Sequence, residues 1–359
     1  MNLDNFLLFE KIDPQNMLGE INDLPNQLQS AWELGKQQPF KGLEPFKGLS
    51  GVLISGMGGS AIGADLLAAY IAPTCQIPVI VLRDYSLPAW AHGPETLVIT
   101  CSHSGNTEET LEAFELARKT RCHILAICTG GELKKRAISA GIPVWKFNHA
   151  GQPRAAVGFS FGLLLAAFTR LGLIGETGRT ADEIASAVEA MKKQQEELWA
   201  DVPVADNPAK RMAGQLMGRW VNVYGSGVLA PVARRWKCQL NEIAKAGAGF
   251  ELLPEADHNT LAGLQNPAEV HSHTMTLFLR ASSDHPRNQL RSELTRKGFM
   301  QAGLNTDVYA AQGDSPLAHI WTALHFGDYL AYYLAMAYDT NPTPVDMLED
   351  FKAAMNGSK

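Results

Sequence analysis

The run Cys101-Ser102-His103-Ser104-Gly105-Asn106-Thr107-Glu108-Glu109-Thr110-Leu111 sets three hydroxyls and a glycine between an apolar strand, Thr96-Leu97-Val98-Ile99-Thr100, and a helical pattern at residues 108–118. Free N–H groups and the positive dipole end at a helix start attract an anion. Ser102, Ser104 and Thr107 can add hydroxyl donors at the same point, so the stretch reads as a phosphate cradle. It has no lysine, which separates it from a Walker loop. One hydroxyl here would read as a helix N-cap; three beside a glycine favour phosphate. The charges of Glu108 and Glu109 disfavour a dianion, so their side chains are expected on the outer face of the helix.

The elements that must position this cradle alternate. Short apolar strands are expected at residues 51–55, 79–82, 97–101, 123–128 and 143–145, with helices at 61–71, 108–118 and 132–140. Continuous apolar strands between helices imply an α/β fold with parallel sheets covered on both faces. Residues 1–45 read as a helical lead-in whose helix, residues 15–34, is broken or kinked by Pro25. The first α/β unit is placed at residues 46–175, a polar helical connector at 176–212, a second α/β unit at 213–340 and a tail helix at 341–359. In the second unit, strands are expected at 221–224, 274–280 and 306–310, and helices at 287–302 and 317–338. The units look weakly duplicated: Ile54-Ser55-Gly56-Met57-Gly58-Gly59-Ser60 and Val223-Tyr224-Gly225-Ser226-Gly227 are both strand-to-glycine turns. Such turns lie where parallel sheets bind ligands. Neither keeps the dinucleotide spacing, which argues against a nicotinamide cofactor.

A chain of 359 residues has length for about two domains. Its hydrophobic fraction of 46% and charged fraction of 19% are those of a soluble globular protein. A net charge of -6 argues against a general nucleic-acid or anionic-membrane surface. Cys75, Cys101, Cys122, Cys128 and Cys238 are odd in number and form no CxxC pair, which fits reduced thiols and a cytoplasmic location. The N-terminus has no basic segment or signal-like cleavage pattern, and the longest apolar run, residues 155–168, is shorter than the roughly 20 residues a membrane span needs.

Gly56-Met57-Gly58-Gly59-Ser60-Ala61-Ile62-Gly63-Ala64-Asp65-Leu66, followed by Ser102-His103-Ser104-Gly105-Asn106-Thr107-Glu108-Glu109-Thr110, resembles the sugar isomerase (SIS) domain. Gln152-Pro153-Arg154-Ala155, Asn241-Glu242-Ile243-Ala244-Lys245, Leu253-Pro254-Glu255-Ala256-Asp257-His258-Asn259 and Asn341-Pro342-Thr343-Pro344-Val345 narrow the resemblance to the bifunctional phosphoglucose/phosphomannose isomerase family. It runs from about residue 45 to the end of the chain. His103 stands where the family commonly has Tyr, and the 176–212 connector is longer than in compact members.

The resemblance implies two SIS-type doubly wound sheets and cofactor-free interconversion of glucose 6-phosphate or mannose 6-phosphate with fructose 6-phosphate through an enediolate. It makes Glu242 the base that moves the proton between C2 and C1, and His258 the ring-opening residue, supplied by the neighbouring subunit of a homodimer. Arg154 would stabilise the enediolate oxygen, and Lys352 would assist ring opening. Gly58, Gly59 and Ser60 would lie along the substrate; Ser102, Ser104 and Thr107 would hold its phosphate; and Thr343 would leave room for either C2 epimer. On their own spacing these residues read otherwise. Glu242 is then a surface Glu paired with Lys245, His258 a turn histidine, Arg154 an Arg snorkelling before a buried helix, Lys352 a solvated tail lysine and Thr343 a turn residue.

His271 and His273 flank Ser272 and could share a strand face as a metal pair, but no third ligand is near and the chemistry needs none. The rival functions are a non-catalytic sugar-phosphate-binding SIS regulator and an SIS isomerase for another sugar phosphate. A regulator would not need Glu242 and His258, and the lead-in is neither long nor basic enough for a DNA-binding module.

Overall fold

The structure is a computed structural model and describes residues 2–39, 48–175 and 177–357. The expected boundaries at residues 45–46 and at residue 176 touch positions outside the described residues. Three helices lead in: α1 (Phe9–Ile12), α2 (Met17–Asn22) and α3 (Leu24–Gln37). Pro25 lies in the first turn of α3, where its missing N–H breaks no helical bond, so the expected 15–34 helix is divided at Asp23.

The first sheet follows: β1 (Gly51–Ser55), α4 (Gly58–Ile71), β2 (Val79–Leu82), β3 (Thr96–Ser102), α5 (Glu108–Lys119), β4 (His123–Cys128), α6 (Gly131–Ser139) and β5 (Val144–Lys146). Its five strands run parallel in the order β2-β1-β3-β4-β5. Every residue of β1 and β3 is buried, as their unbroken apolar sequences require in a sheet covered on both faces. After β5 come α7 (Val157–Arg170), α8 (Thr177–Gln195) and α9 (Pro208–Leu216).

The second sheet is built from β6 (Trp220–Gly225), α10 (Ala230–Glu242), β7 (Ala248–Leu252), β8 (Thr274–Arg280), α11 (Pro286–Gln301) and β9 (Asn305–Ala310). Its four parallel strands take the order β7-β6-β8-β9. Then α12 (Pro316–Ala337) is buried along nearly its whole length, and α13 (Asp346–Gly357) ends the described chain. β7 is absent from the sequence reading: it is short, contains Gly249, and pairs only with β6 at the sheet edge. His271 and His273 lie in a short 3-10 turn, Ala268–His273, so strand alternation does not bring them to one face. Among the described residues, no group of three or more His, Cys, Asp or Glu side chains is placed to hold a metal ion.

The polar segment after α7 is more than a tether. Ile184, Ala187 and Met191 of α8 and Met212 and Ala213 of α9 are buried in the same core as α12. The edge of Phe161 meets Trp321 at 5.3 Å, joining α7 to α12. One apolar core therefore runs through both sheets. Among the described residues, no helix is long and apolar enough to cross a membrane.

Gly158-Phe159-Ser160-Phe161-Gly162 has the lettering of a hydrolase nucleophile turn, but it lies inside α7, and Ser160 Oγ donates to Ala156 O at 3.4 Å. Its glycines serve packing: a Cβ on Gly162 would stand 2.7 Å from Ala31 Cβ, so α3 and α7 touch backbone to backbone.

Candidate active site

In each sheet the chain leaves the first central strand in one direction and its neighbour in the other. The crevice beyond their carboxyl ends is the natural ligand position. In the first sheet that crevice lies between β1 and β3, so residues 56–60 and 102–107 flank it.

Ser102 closes β3 and is buried; its Oγ lies 2.8 Å from Thr107 Oγ1 and accepts from Gly105 N at 3.0 Å. Ser104 Oγ is exposed and accepts from Asn106 N at 3.1 Å. Thr107 precedes α5 but its hydroxyl does not cap the helix, so the first N–H groups of α5 have no side-chain acceptor. The loop is rigid from behind. Asn106 Oδ1 accepts from Glu132 N at 2.9 Å, and Leu133 N donates to Gly105 O at 2.8 Å. Gly105 has φ +70, and a Cβ there would overlap the Gly130 backbone, so glycine is required. The turn is preorganised, with hydroxyls and uncapped N–H groups at one place.

His103 points into a different network. Its Nε2 lies 3.0 Å from His149 Nδ1, and His149 Nε2 lies 2.9 Å from Glu20 Oε2. Burial, then the neighbouring His149, push the His103 imidazole down to about 4, with Glu20 opposing. His103 is therefore neutral at pH 7.

Across the crevice, a 3-10 turn, Pro153–Ala155, presents Arg154. A Cβ on Gly59 would lie 2.5 Å from Pro153 O, so only glycine lets α4 approach this turn. Gln27 of the lead-in holds it from the other side: its Nε2 donates to Ala155 O at 2.9 Å and its Oε1 accepts from Gly158 N at 2.8 Å.

The Arg154 side chain is only 4% exposed. Its Nη1 lies 3.8 Å from Glu242 Oε2 at the end of α10 and donates to Gln152 Oε1 at 3.3 Å. Its Nη2 donates to Pro342 O at 3.0 Å and to Thr343 O. Arg154 Nε and the Thr343 hydroxyl are buried and have no hydrogen-bond partner among the described residues. Burial disfavours the guanidinium charge, Glu242 favours it, and Arg235 disfavours it. The Glu242 side chain keeps 30% exposure. Lys245 does not pair with that carboxylate; its Nζ donates to the carbonyls of Glu242 (3.0 Å), Ile243 (3.3 Å) and Asn341 (2.8 Å).

Two residues that the sequence reading passed over tie these parts together. Arg235 of α10 donates to both oxygens of Asp328 on α12, at 3.2 and 2.8 Å, and to Arg154 O at 2.8 Å. A lone carboxylate within the apolar α12 was the available signal, because a buried charge needs a partner. Asp65 of α4 similarly accepts from Arg83 and, at 3.0 Å, from Arg234 of α10.

The structure thus joins Gly59, Arg154, Glu242 and Thr343, with Gly58 and Ser60 on the same α4 turn. It sets Ser102, Ser104 and Thr107 on the adjoining loop: a Cβ on Gly56 would lie 3.0 Å from Cys101 O. His258 and Lys352 are apart from this group. Both are exposed, and neither bonds to Arg154 or Glu242. His258 sits in the turn after edge strand β7, where Asp257 is held by Arg291 (3.1 Å) and Thr295 (2.6 Å).

Paired parallel α/β sheets with glycine and hydroxyl turns at their switch points are the SIS architecture. Residues 205–355 match the family model of the bacterial phospho-glucose isomerase C-terminal SIS domain. The fold follows that of a hypothetical protein from Thermus thermophilus, with a TM-score of 0.75 over 99% of this chain and 93% of that one at 17% identity. The chain is 38% identical, over 94% of its length and 98% of the relative's, to the bifunctional phosphoglucose/phosphomannose isomerase of Caldicellulosiruptor bescii. It is 32% identical, over 87% of its length and 91% of the relative's, to the protein of the same name from Aquifex aeolicus. The chain belongs to the bifunctional phosphoglucose/phosphomannose isomerase family.

Proposed function

We propose that the chain carries out the aldose–ketose isomerisation of its family, interconverting glucose 6-phosphate or mannose 6-phosphate with fructose 6-phosphate. The observation that carries this reading is the Arg154–Glu242 pair, 3.8 Å apart beside the Gly59 turn and next to the hydroxyl loop. A sugar-phosphate sensor has no use for a carboxylate and a buried guanidinium so placed.

In this reading Ser102, Ser104, Thr107 and the first N–H groups of α5 hold the 6-phosphate, while Gly58, Gly59 and Ser60 let the sugar lie against backbone. Ring opening removes the proton from the O1 hydroxyl and places one on the ring oxygen. His258 serves this step from the partner subunit of a homodimer; its exposure and its separation from Glu242 within one chain support that assignment. Lys352, on the exposed face of α13, assists from the tail. Glu242 takes the C2 proton, the electron pair forms the C1–C2 double bond, and Arg154 stabilises the charge on the enediolate oxygen. Glu242 returns the proton to C1 while the O2 proton moves to O1, giving the ketose. The unpartnered Thr343 hydroxyl beside Arg154 supports a role near C2. The proposed divisions are a lead-in to residue 45, SIS units at 46–175 and 213–340, a connector at 176–212 and a tail at 341–359, in a cytoplasmic enzyme.

The test is EDTA-treated protein with fructose 6-phosphate. Formation of glucose 6-phosphate and mannose 6-phosphate supports the dual isomerase. Glu242→Gln should abolish both and stop deuterium uptake at C2, with binding of a phosphate-bearing inhibitor retained. Near wild-type turnover by this variant would remove Glu242 as the base.

A further inference from the structure

Lys245 carries a side chain in a conformation that glycine ordinarily takes. It lies just beyond α10 with φ +54, in the left-handed region where a Cβ is disfavoured. Its stem is exposed, but its ammonium turns back onto three carbonyls. Two, Glu242 O and Ile243 O, belong to the end of α10, whose last carbonyls have no helical partner. The third is Asn341 O. The next two carbonyls along, Pro342 O and Thr343 O, receive the Arg154 guanidinium. Two cations thus hold three consecutive carbonyls: Lys245 joins that strap to the backbone of Glu242, and Arg154 joins it to the Glu242 carboxylate. The loop is closed, and Lys245 supplies the link that fixes Glu242 from behind.

We propose that Lys245 is a positioning residue for isomerisation, its ammonium locking the end of α10 onto residues 341–343 so that Glu242 and Arg154 keep their working separation. This rests on Glu242 being the base. Lys245 itself has no part in proton transfer: its hydrogen bonds all go to backbone. The charged groups facing it are Arg154, Glu242 and Asp346 at the start of α13, and Arg219 shares a cavity of about 390 Å³ with it. Burial of the ammonium and the charge of Arg154 pull it down to about 8, with Asp346 and Glu242 opposing. The lock therefore opens as pH rises through that value.

The experiment compares Lys245→Met and Lys245→Arg with wild type in fructose 6-phosphate turnover at pH 7 and pH 9.5, with thermal unfolding measured alongside. A misplacement of this kind costs about 10²-fold in rate. Lys245→Met should lose about that much kcat at pH 7 with KM within about twofold. Lys245→Arg should recover most of the loss and, remaining charged, keep its kcat at pH 9.5 where wild type declines. If Lys245→Met does not fold, the pH comparison of Lys245→Arg with wild type still decides. Wild-type kcat in Lys245→Met, a loss confined to KM, or parallel pH profiles for Lys245→Arg and wild type would overturn the proposal. Glu242→Gln separates the two readings: if it keeps turnover, Glu242 is not the base; if it is inactive while Lys245→Met is unimpaired, only the role of Lys245 fails.

Discussion

The two sheets carry the same turns at their switch points and use them oppositely. In the first, the hydroxyls of Ser102 and Thr107 face each other, Ser104 is exposed, and the start of α5 has no side-chain cap. In the second, residues 226–227 follow β6 and residues 281–285 follow β8. There the side chains serve one another. Ser226 donates to Asp284 Oδ2, while Asp284 Oδ1 accepts from His285 N at 2.7 Å. His285 Nδ1 caps α11 by accepting from Arg287 N at 3.1 Å. Ser282 and Ser283 turn to His319, at 3.2 and 2.8 Å. The Asp284 carboxylate thus takes up the Ser226 hydroxyl and the His285 N–H, donors that an external anion would otherwise use. A strand-to-helix turn rich in Ser and Gly is therefore not a phosphate site in itself; what distinguishes the first turn is that its donors have no internal anion to serve.

The sharpest way to break this contrast is through one glycine in each turn. Gly59→Ala would push the Pro153 carbonyl and with it Arg154, and should cost about 10²-fold in kcat. Gly227→Ala in the matching turn meets only the movable Asp284 carboxylate, at 2.7 Å, but must hold φ +52. It should leave kcat unchanged and lower stability by about 1 kcal/mol. Steady-state kinetics and denaturant unfolding read the two effects separately. Equal kinetic losses from both would mean that the second crevice also takes part in the reaction.

A smaller effect is expected from the hydroxyls. Ser104→Ala with Thr107→Ala removes two donors to a charged group, each worth about 1.5 kcal/mol, or roughly tenfold. KM for fructose 6-phosphate should rise by at least about tenfold with a lesser change in kcat. Ser282→Ala with Ser283→Ala should leave KM alone and lower the thermal midpoint, because buried His319 then loses both hydroxyl partners. An unchanged KM in the first double variant would end the phosphate assignment for the 102–107 loop.

The strands and helices of the first sheet were legible because a parallel sheet covered on both faces demands unbroken apolar runs, and β1 and β3 supply them. The turn at Pro25 followed from proline chemistry alone. β7 was not legible: an edge strand holding a glycine and a glutamate has no pattern of its own. The polar look of α8 concealed a buried stripe, since Ile184, Ala187, Val188 and Met191 enter the core from one face. At the site, the Ser-rich loop announced itself through clustered hydroxyls. Arg154 and Glu242 did not, because 88 positions separate them in sequence (242 minus 154), and only folding brings them to 3.8 Å. Arg235 and Asp328 were hidden for the same reason, and Lys245 because its partners are all carbonyls, which the identity of a residue does not reveal.

The histidines beside the two loops give the smallest and most discriminating effect. His103 and His319 are both held below the usual imidazole value of 6.5, each chiefly by burial, His103 to about 4. A histidine depressed in the folded state takes up its proton more readily when unfolded, so the unfolded chain binds more protons across the interval. Stability tied to His103 is thus complete above pH 6.5 and is lost as pH falls from 6.5 toward 4. His103→Gln removes that titration, so its thermal midpoint should fall less steeply than wild type between pH 7 and pH 4.5. His319→Gln should also flatten the decline, but from a lower midpoint at every pH, since it gives up the bonds to Ser282, Ser283 and Gly313 that close the second loop. Thermal melts of the three proteins across that range decide it. A His103→Gln profile as steep as wild type would show that the imidazole titrates unhindered. The first loop's histidine would then be open to solvent, and the chain from Glu20 through His149 would carry no energetic coupling to the 102–107 turn.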